Sequence, residues 1–449
     1  MNRYYNPVHT IQGPGCLAEL PALLRRMLSG GGRVLVLAWS QEALRHPVLA
    51  DLAASCAPIE VEILEFTASN PTVEQLYDTW LRTKDHAPDV VVAVGGGSIL
   101  DVGKSLCCLY GAELADADAL RARIAAGDLQ PAARWIGVPT TAGTGSEVTC
   151  WATIWDPEQD TKRSLENHDN YAAAALVDPE LAAGMPVRLA VSSALDAVAH
   201  AVESYWARHT NAVSRALALE AIRTVMGSID QLFAGVPAAH DAMARGSMLA
   251  GLAFSNTKTT ACHSISYPLT MHYGIPHGAA VAMLLAPVLA CNAPAVQDLD
   301  ALLSALGVAD AAGLQRRIAG LLVRSAQPAS LEGWGVARSD LAHLAGLGIT
   351  KGRADNNPVE LTPALIEEML ESIYPMATIP CAGWRAGTPL EILTRQTRRE
   401  SYETQSETAC PDPVRPDDRR PAGRLQRRFL LHDRDGCRDL RRWNHRRNS

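Results

Sequence analysis

The sequence has few of the features that mark membrane, secreted or nucleic-acid-binding chains. Aromatic residues are 5% of the 449 residues, and no uninterrupted apolar run reaches the roughly 18 residues of a membrane span. The opening residues, MNRYYNPVHTIQGPG, contain no apolar signal-peptide core. The formal net charge of −7 gives no reason to expect a nucleic-acid partner. We therefore expect neither a membrane nor a nucleic acid among the partners.

The cysteines also lack a pattern. None of the 10 cysteines belongs to a CxxC pair, and their spacing is irregular. This distribution is typical of the reduced thiols of a cytoplasmic enzyme, which is the localisation we expect. Apolar residues are 47% and charged residues 20% of the chain, as in an ordinary globular protein with a sizeable core.

The first part of the chain alternates short strand patterns with helical ones. The segments RVLVLAW (33–39) and DVVVAVGGG (89–97) are typical of buried strands, and ARWIGVPTTAG (133–143) begins as another. Strands that alternate with helices predict βαβ units and a parallel sheet. The opening YYNPVHTIQGPG predicts an extended arm or an edge hairpin.

Helical periodicity replaces the strand signals near residue 185, as in SSALDAVAHAVESYWA. We predict a Rossmann-like α/β domain over residues 1–185 and an all-helical domain over 186–382. The tail, 383–449, is rich in Arg, has no Lys and shows weak apolar periodicity. This composition predicts a disordered extension or a reading-frame artefact, with an Arg-rich arm for polyanions as the alternative.

A glycine turn joins a strand to a helix in VVVAVGGGSILDVGKSL (90–106). Gly96 and Gly97 leave room for a ligand to approach the backbone, and Ser98 and Asp101 stand at the start of the helix. The N–H groups and the helix dipole there attract phosphate. The turn is neither a GxGxxG motif nor a P-loop, and by itself it is also compatible with a simple tight connection.

A second polar loop follows the next strand, in VPTTAGTGSEVT (138–149). Its hydroxyl groups, suited to ribose and pyrophosphate oxygens, belong to Thr140, Thr141, Thr144 and Ser146. Open parallel sheets bind ligands at the carboxyl ends of their strands, so two such loops together favour a nucleotide site over two empty turns.

The sequence leaves the choice between NAD and NADP open. Dinucleotide-binding domains often place an acidic residue after a strand to hold the ribose 2′-hydroxyl. Here Trp39, Ser40 and Gln41 follow RVLVLA, and Glu42 is the first carboxylate nearby.

A metal-ligating set is predicted in the helical part. Asp196 and His200 are four residues apart in DAVAHAVE and share one helix face. His263 and His277 lie in the Gly-, His- and Pro-rich segment 251–278 between two apolar helices. One carboxylate and three imidazoles suit Fe(II) or Zn(II). Such a metal would act as a Lewis acid on an alcohol or aldehyde oxygen.

The motifs GGGSILDVGKSL, PTTAGTGSE, DAVAHAVE and GIPHG, in this order, resemble the iron-containing (group III) alcohol dehydrogenase family over roughly residues 1–380. The resemblance implies a dehydroquinate synthase-like architecture, with the nucleotide on the α/β domain and the metal on the helical one. It implies that the metal ligands are Asp196, His200, His263 and His277. It also implies that the cofactor is approached by Asn70, Gly97, Ser98, Thr140, Thr141, Thr144 and Lys162.

The chain departs from that family's pattern in ways that bear on catalysis. The family commonly has HxxxH in the metal segment, and here Tyr267 takes the second position. Tyr267 or His272 is therefore the predicted proton donor, although His272 is equally compatible with a solvated side chain. Lys258 and Arg163 add cations, and we predict that they form an anion clamp for a charged substrate.

The whole pattern resembles the subgroup of the family that is associated with phosphonate metabolism. The expected function is an NAD(P)-dependent, metal-dependent alcohol dehydrogenase or aldehyde reductase, with reduction of phosphonoacetaldehyde to 2-hydroxyethylphosphonate as the best candidate. A glycerol-type dehydrogenase, a sugar-phosphate cyclising lyase and a non-catalytic nucleotide- and metal-binding protein remain as alternatives. The N-terminal arm is compatible with a homodimer formed by strand exchange.

Overall fold

The first half of the chain is built on a six-stranded parallel sheet. A computed structural model describes residues 3–159, 161–350 and 352–375. Its strands are β1 His9–Gln12, β2 Arg33–Ala38, β3 Glu60–Glu65, β4 Val90–Gly95, β5 Arg134–Pro139, β6 Trp151–Asp156, β7 Thr161–Glu166 and β8 Ala174–Val177. The sheet order is β1-β8-β5-β4-β2-β3 with every pair parallel, which confirms the predicted α/β class.

Helices cover both faces of this sheet. They are α1 Leu20–Met27, α2 Pro47–Ala50, α3 Leu52–Ser55, α4 Val73–Thr83, α5 Gly97–Leu109 and α6 Ala117–Ala126. Val91 and Ala93 of β4 join the core under α4, α5 and α6, whereas Val90 and Val92 join the core under α1, α2 and α3. A strand covered on both faces needs an uninterrupted apolar sequence, which explains the run VVVAV.

The strands outside the centre of the sheet were harder to foresee. The opening segment forms β1, which pairs in parallel with β8 (His9 opposite Ala174), so it is an edge strand and not a hairpin. Strands β6 and β7 form a separate antiparallel hairpin. This hairpin, which the sequence did not predict, carries Lys162 and Arg163.

The second half is helical throughout the described residues. Its helices are α7 Val187–Trp206, α8 Ala212–Ser228, α9 Pro237–Phe254, α10 Ala261–Tyr273, α11 His277–Asn292, α12 Leu299–Leu306, α13 Ala311–Arg324, α14 Leu341–Leu347 and α15 Pro363–Ser372. They pack around one apolar core. The predicted domain boundary at residue 185 falls between β8 and α7, and the two-domain division stays a prediction. The predicted tail, 383–449, lies outside the described residues.

One helical stretch is long and apolar, although its uninterrupted apolar run is shorter than a membrane span. His277–Ala295 has the length and composition of a span, with a mean hydropathy of 1.6. In this fold 61% of that stretch is buried inside the protein. A helix that is apolar all round is equally the core helix of a large globular protein, and α11 has that position.

Two glycines allow the helical half to approach the second polar loop. Gly145 has a φ of +57°, in the left-handed region that favours glycine. A Cβ added to Gly251 of α9 would lie 2.9 Å from Gly145 Cα and 2.6 Å from Val148 Cγ2. This contact therefore requires the absence of a side chain on both segments.

We predict that Gly251→Ala destabilises the protein. The new methyl group has to displace backbone, so the free energy of unfolding should fall by about 1–3 kcal/mol. Denaturant unfolding measures it. Gly320→Ala in α13 is the control, because a Cβ there meets nothing within 4 Å, and it should be neutral or stabilising by up to about 1 kcal/mol. Equal effects of the two substitutions would contradict the close-contact explanation.

Candidate metal and nucleotide site

The two polar loops lie side by side at the carboxyl end of the sheet. Gly95 of β4 is opposite Pro139 of β5, and the loops leave the two strands at this level. A Cβ on Gly97 would come within 2.7 Å of Thr144 Cγ2, so the glycine lets the two loops touch. Adjacent loops at this edge of a parallel sheet form the usual nucleotide-binding crevice.

Two of the predicted cofactor residues, Asp101 and Ser146, already form hydrogen bonds with other residues of the protein. Ser146 Oγ donates to Asp101 Oδ1 at 2.7 Å, and the Thr153 N–H donates to Asp101 Oδ2 at 2.9 Å. The fully buried Lys104 adds a bond from Nζ to Ser146 Oγ at 3.0 Å. This network fixes the second loop against α5, so the structure gives Asp101 and Ser146 a positioning task within the cleft wall.

A single cleft of about 1400 Å³ runs from these loops to the helical half. That volume is large enough for a dinucleotide together with a small substrate. Asn70, with a φ of 53°, belongs to the first loop cluster because its N–H donates to Ser98 Oγ at 3.1 Å. The predicted residues that line the cleft are Asn70, Gly96, Gly97, Ser98, Asp101, Thr140, Thr141, Thr144, Ser146, Lys162, Asp196, His200, Lys258, His263, Tyr267 and His277.

The carboxylate and two imidazoles of the predicted metal set converge in this cleft. Asp196 Oδ1 lies 3.5 Å from His263 Nε2 and 3.9 Å from His277 Nε2. The three residues offer donor atoms that all lie within 4.8 Å of one another. Asp196 Oδ1 and His263 Nε2 are buried without a hydrogen-bond partner. A cation between them would satisfy both, so the residues fit the divalent metal that the donor set predicts.

A glycine brings the third ligand candidate close to the first. His277 is the first residue of α11, and a Cβ on the following Gly278 would lie 2.1 Å from the carbonyl oxygen of Ser192 in α7. The start of α11 can therefore abut α7 only because residue 278 has no side chain. This contact explains the second glycine of the GIPHG motif, Gly278.

Hydrogen bonds fix which nitrogen of two imidazoles is free for a metal. His263 Nδ1 is bonded to Glu203 Oε2, and His200 Nδ1 is bonded to the carbonyl oxygen of Gly143 at 3.2 Å. A carboxylate and a carbonyl can only accept, so both Nδ1 atoms carry the proton and both Nε2 atoms keep their lone pair. Such partners orient metal-binding histidines.

His200 lies beside the cluster of three. Its ring stacks on Phe254 and on His263, with centroid distances of 4.3 and 4.4 Å. Its position one helical turn from Asp196 on α7 puts both side chains on the same face. The fourth-ligand role of His200 stays a prediction.

Burial holds two of these histidines in the form that binds metals. It lowers the pKa of His200 to about 4 and that of His277 to about 3, so both rings are neutral at neutral pH. Burial acts against the charged form of His263 as well, but Glu203 and Asp196 outweigh it and raise the pKa of His263. Protonation and a metal would therefore compete for His263 Nε2.

Tyr267 and Lys162 form one wall next to the metal set. Tyr267 is on α10, four residues after His263, and its ring stacks nearly parallel to His277 at 6.0 Å. Burial raises the pKa of Tyr267 to about 12, so its hydroxyl keeps its proton at neutral pH. Lys162 Nζ lies 2.6 Å from the centre of the Tyr267 ring.

Two predicted residues do not reach the cleft. His272 is exposed, near His343, because nine residues after His263 on an α-helix is roughly half a turn away from its face. Arg163 Nε donates to the buried Asp156 at 2.6 Å, and its side chain points away from the cleft lining. Tyr267 is therefore the proton-donor candidate at the site, and Arg163 has no access to a substrate there.

Lys258 reaches the cleft but is already paired. Its Nζ lies 2.8 Å from Glu166 Oε2, and about half of its side chain, 49%, is exposed. Its φ of 61° is unusual for a lysine, and the carbonyl oxygen of the preceding Thr257 accepts a bond from Asn356 at 2.8 Å. Neutralised by Glu166, Lys258 makes a weak anion clamp.

Sequence reasoning missed two residues of the site. Glu203 ends the DAVAHAVE motif and shares the helix face of Asp196 and His200, so its spacing was an available signal. Arg353 lines the cleft from a loop after α14, and its Cζ lies 5.4 Å from the Tyr267 ring centre. No motif pointed to it.

The combination of a nucleotide crevice with a buried carboxylate–imidazole set defines a nicotinamide- and metal-dependent oxidoreductase. The sequence-family model for iron-containing alcohol dehydrogenases matches residues 7–179. The family model for the C-terminal part of Fe-containing alcohol dehydrogenases matches residues 190–374. The chain belongs to the iron-containing alcohol dehydrogenase family. The predicted family and enzyme class are thus confirmed.

Relatives with named activities agree with this assignment. The chain is 34% identical over 293 residues to a phosphonoacetaldehyde reductase of Streptomyces viridochromogenes, covering 61% of this chain and 73% of the relative. It is 29% identical over 346 residues to a lactaldehyde reductase of Escherichia coli, covering 76% of this chain and 83% of the relative. These proteins are aldehyde reductases with different substrates.

Solved structures share the fold. A sulfoacetaldehyde reductase of Bifidobacterium kashiwanohense in complex with NAD+ superimposes with a TM-score of 0.73 at 25% identity, covering 83% of this chain and 98% of that chain. An iron-containing alcohol dehydrogenase of Thermotoga maritima gives a TM-score of 0.72 at 27% identity, covering 83% and 99%. The chain is an iron-type alcohol/aldehyde reductase of the nicotinamide-dependent class.

Glu203→Gln should weaken metal binding. A glutamine leaves His263 with a poorer acceptor, so we expect roughly 10- to 100-fold lower affinity for Fe(II) or Zn(II), measured by competition with a chelator. Glu220→Gln, in an exposed position of α8, is the matched control and should bind metal as the wild type does. Unchanged affinity in a folded Glu203→Gln protein would remove this residue from the site.

Proposed function

We propose that the chain reduces a short aldehyde that bears an anionic group, with phosphonoacetaldehyde as the leading substrate and 2-hydroxyethylphosphonate as its product. The convergence of Asp196, His263 and His277 in the nucleotide cleft is the observation that carries the reductase activity. The phosphonate substrate is supported by the named activity of the Streptomyces relative. The nicotinamide cofactor is either NAD or NADP, and the metal is either Fe(II) or Zn(II).

The site divides the reaction between its two walls. We propose that Asn70, Ser98 and the threonines of the second loop hold the nucleotide, and that Lys162 lies beside its reactive end. Asp196, His200, His263 and His277 would hold a divalent metal, which would supply Lewis acidity, and a reduced nicotinamide in the cleft would supply the hydride. The walls of the cleft position the reactants and limit the access of water.

Tyr267 is the proposed proton donor to the product oxygen. Its ring is stacked on His277, and its hydroxyl is protonated because burial keeps the pKa at about 12. His272 cannot donate this proton because it lies on the opposite face of α10. The proton leaves from the Tyr267 Oη atom and is replaced from solvent through the cleft.

An anaerobic assay tests the activity. We expect NADH or NADPH to be oxidised when phosphonoacetaldehyde is added, and we expect this oxidation to require Fe(II) or Zn(II). The absorbance of the reduced nicotinamide measures it. His263→Ala should lose both bound metal and turnover, because it removes a candidate ligand and the imidazole nearest to Asp196 Oδ1. Retention of metal and nucleotide without any aldehyde reduction would show a binding protein instead.

Tyr267→Phe isolates the proton donor. The phenyl ring keeps the stacking on His277 and lacks the hydroxyl, so kcat should fall roughly 100-fold or more while metal content is unchanged. Steady-state kinetics with metal analysis on the same preparation measures both. A kcat close to that of the wild type would move the proton transfer to another group.

The proposed compartment is the cytoplasm. Every cysteine of the described residues is a free thiol, including the buried Cys107, Cys108 and Cys262. Free thiols are usual where glutathione and thioredoxin keep proteins reduced.

A further inference from the structure

We infer that Arg353 is the residue that selects for an anionic substrate: its guanidinium binds the phosphonate, sulfonate or carboxylate group of a short aldehyde, with Lys162 as the second cation. This inference rests on the proposed reductase function. It places the anion site on a different wall from the Lys258 and Arg163 pair that the sequence suggested.

Arg353 lies next to the wall that leads to the metal set. Its Cζ is 5.4 Å from the centre of the Tyr267 ring, and that ring is stacked on His277 at 6.0 Å. All three side chains line the same cleft. A short molecule whose carbonyl group is at the metal ligands therefore has its far end near Arg353.

The guanidinium has no counter-ion in the described part of the chain. Arg353 Nε is buried without a hydrogen-bond partner, and no carboxylate there is within ion-pair distance. Other arginines are paired with carboxylates, as Arg121 and Arg163 are with Asp156. A partly buried, unpaired guanidinium is costly, and a planar donor group of this kind suits the oxygens of an oxyanion.

A second cation lies on the same ring. Lys162 Nζ is 2.6 Å from the centre of the Tyr267 ring, so Lys162 and Arg353 both contact Tyr267. Burial and, after it, the charge of Arg353 lower the pKa of Lys162 well below its usual range. An anion bound between Lys162 and Arg353 would favour the charged form of Lys162 and offset the repulsion between the two side chains.

The two carboxylates whose charges act on Lys162, Asp101 and Asp196, have other partners. Asp101 accepts bonds from Ser146 and from the N–H of Thr153. Asp196 belongs to the metal set. Neither is available to neutralise Arg353, so the protein leaves that charge for a ligand.

The loop that carries Arg353 is fixed before any substrate arrives. Ser264 Oγ of α10 accepts a bond from the Thr350 N–H at 2.8 Å, and the Arg353 N–H donates to Thr350 O at 3.2 Å. On the other side, Asn356 donates to Thr257 O at 2.8 Å. A loop whose backbone is already held in place needs no ordering when the substrate binds, which favours affinity.

Arg353→Gln tests the inference with two substrates of similar length. For phosphonoacetaldehyde, loss of a charge-assisted contact should raise KM roughly 10- to 150-fold. For the uncharged propanal, KM should stay within about twofold, and any fall in kcat should be shared by the two aldehydes because Arg353 also acts on Tyr267. Arg353→Lys should recover part of the affinity for phosphonoacetaldehyde. Arg338→Gln, an exposed arginine paired with Glu371, is the control for net charge and should leave both substrates unaffected.

Direct binding separates this inference from the proposed function. The metal-loaded wild type should bind methylphosphonate in isothermal titration, and Arg353→Gln should not. Absence of wild-type binding, or equal KM changes for both aldehydes, overturns the anion site even if the enzyme reduces phosphonoacetaldehyde. The anion site at Arg353 is also overturned if Lys258→Gln abolishes the preference for the anionic aldehyde while Arg353→Gln retains it. Methylphosphonate binding that depends on Arg353, in a protein that reduces no aldehyde, supports the site and refutes the reductase proposal.

Discussion

The structure of the site depends on one buried carboxylate. Asp196 lies on α7 among apolar neighbours, and an isolated charge in that position would be strongly unfavourable. Imidazoles from α10 and α11 surround it, and Glu203, two turns further along α7, holds His263 in place. Glu203 also accepts bonds from the Thr260 and Cys262 N–H groups at the start of α10. The contacts that orient the candidate metal ligands are therefore also contacts that pack these three helices together.

That interaction also connects the two halves of the protein. Gly143 of the second loop lies against α7, since a Cβ there would be 2.9 Å from the carbonyl oxygen of Ser193, and its own carbonyl oxygen fixes His200. Gly278 makes the corresponding approach from α11. A larger residue at either position would move a histidine relative to Asp196. Glycines without any ligand contact thus determine the geometry of the site.

The sequence predicted what is periodic and local, and it failed where position depends on tertiary contacts. The VVVAV strand, the two loops and the α7 face of Asp196 and His200 followed from periods of two and 3.6 residues. The β6–β7 hairpin did not, because its short alternating strands lie outside the main sheet. Helical phase alone argued against His272. Arg163 was misplaced because its partner, Asp156, belongs to the same hairpin, which the sequence did not predict. Arg353 is in a loop whose position only long-range bonds define.

The proposed chemistry and the proposed selectivity come from different parts of this fold. The candidate metal ligands are on core helices, where any displacement disturbs the packing around Asp196. The side chains that we propose for binding the anionic group come from a hairpin, for Lys162, and from a pinned loop, for Arg353. A substitution in those segments changes the charge of the cleft and leaves the core helices as they are, which is the usual reason why loops on a rigid scaffold carry specificity. The fold can therefore keep one reaction while the group recognised at the far end of the aldehyde changes.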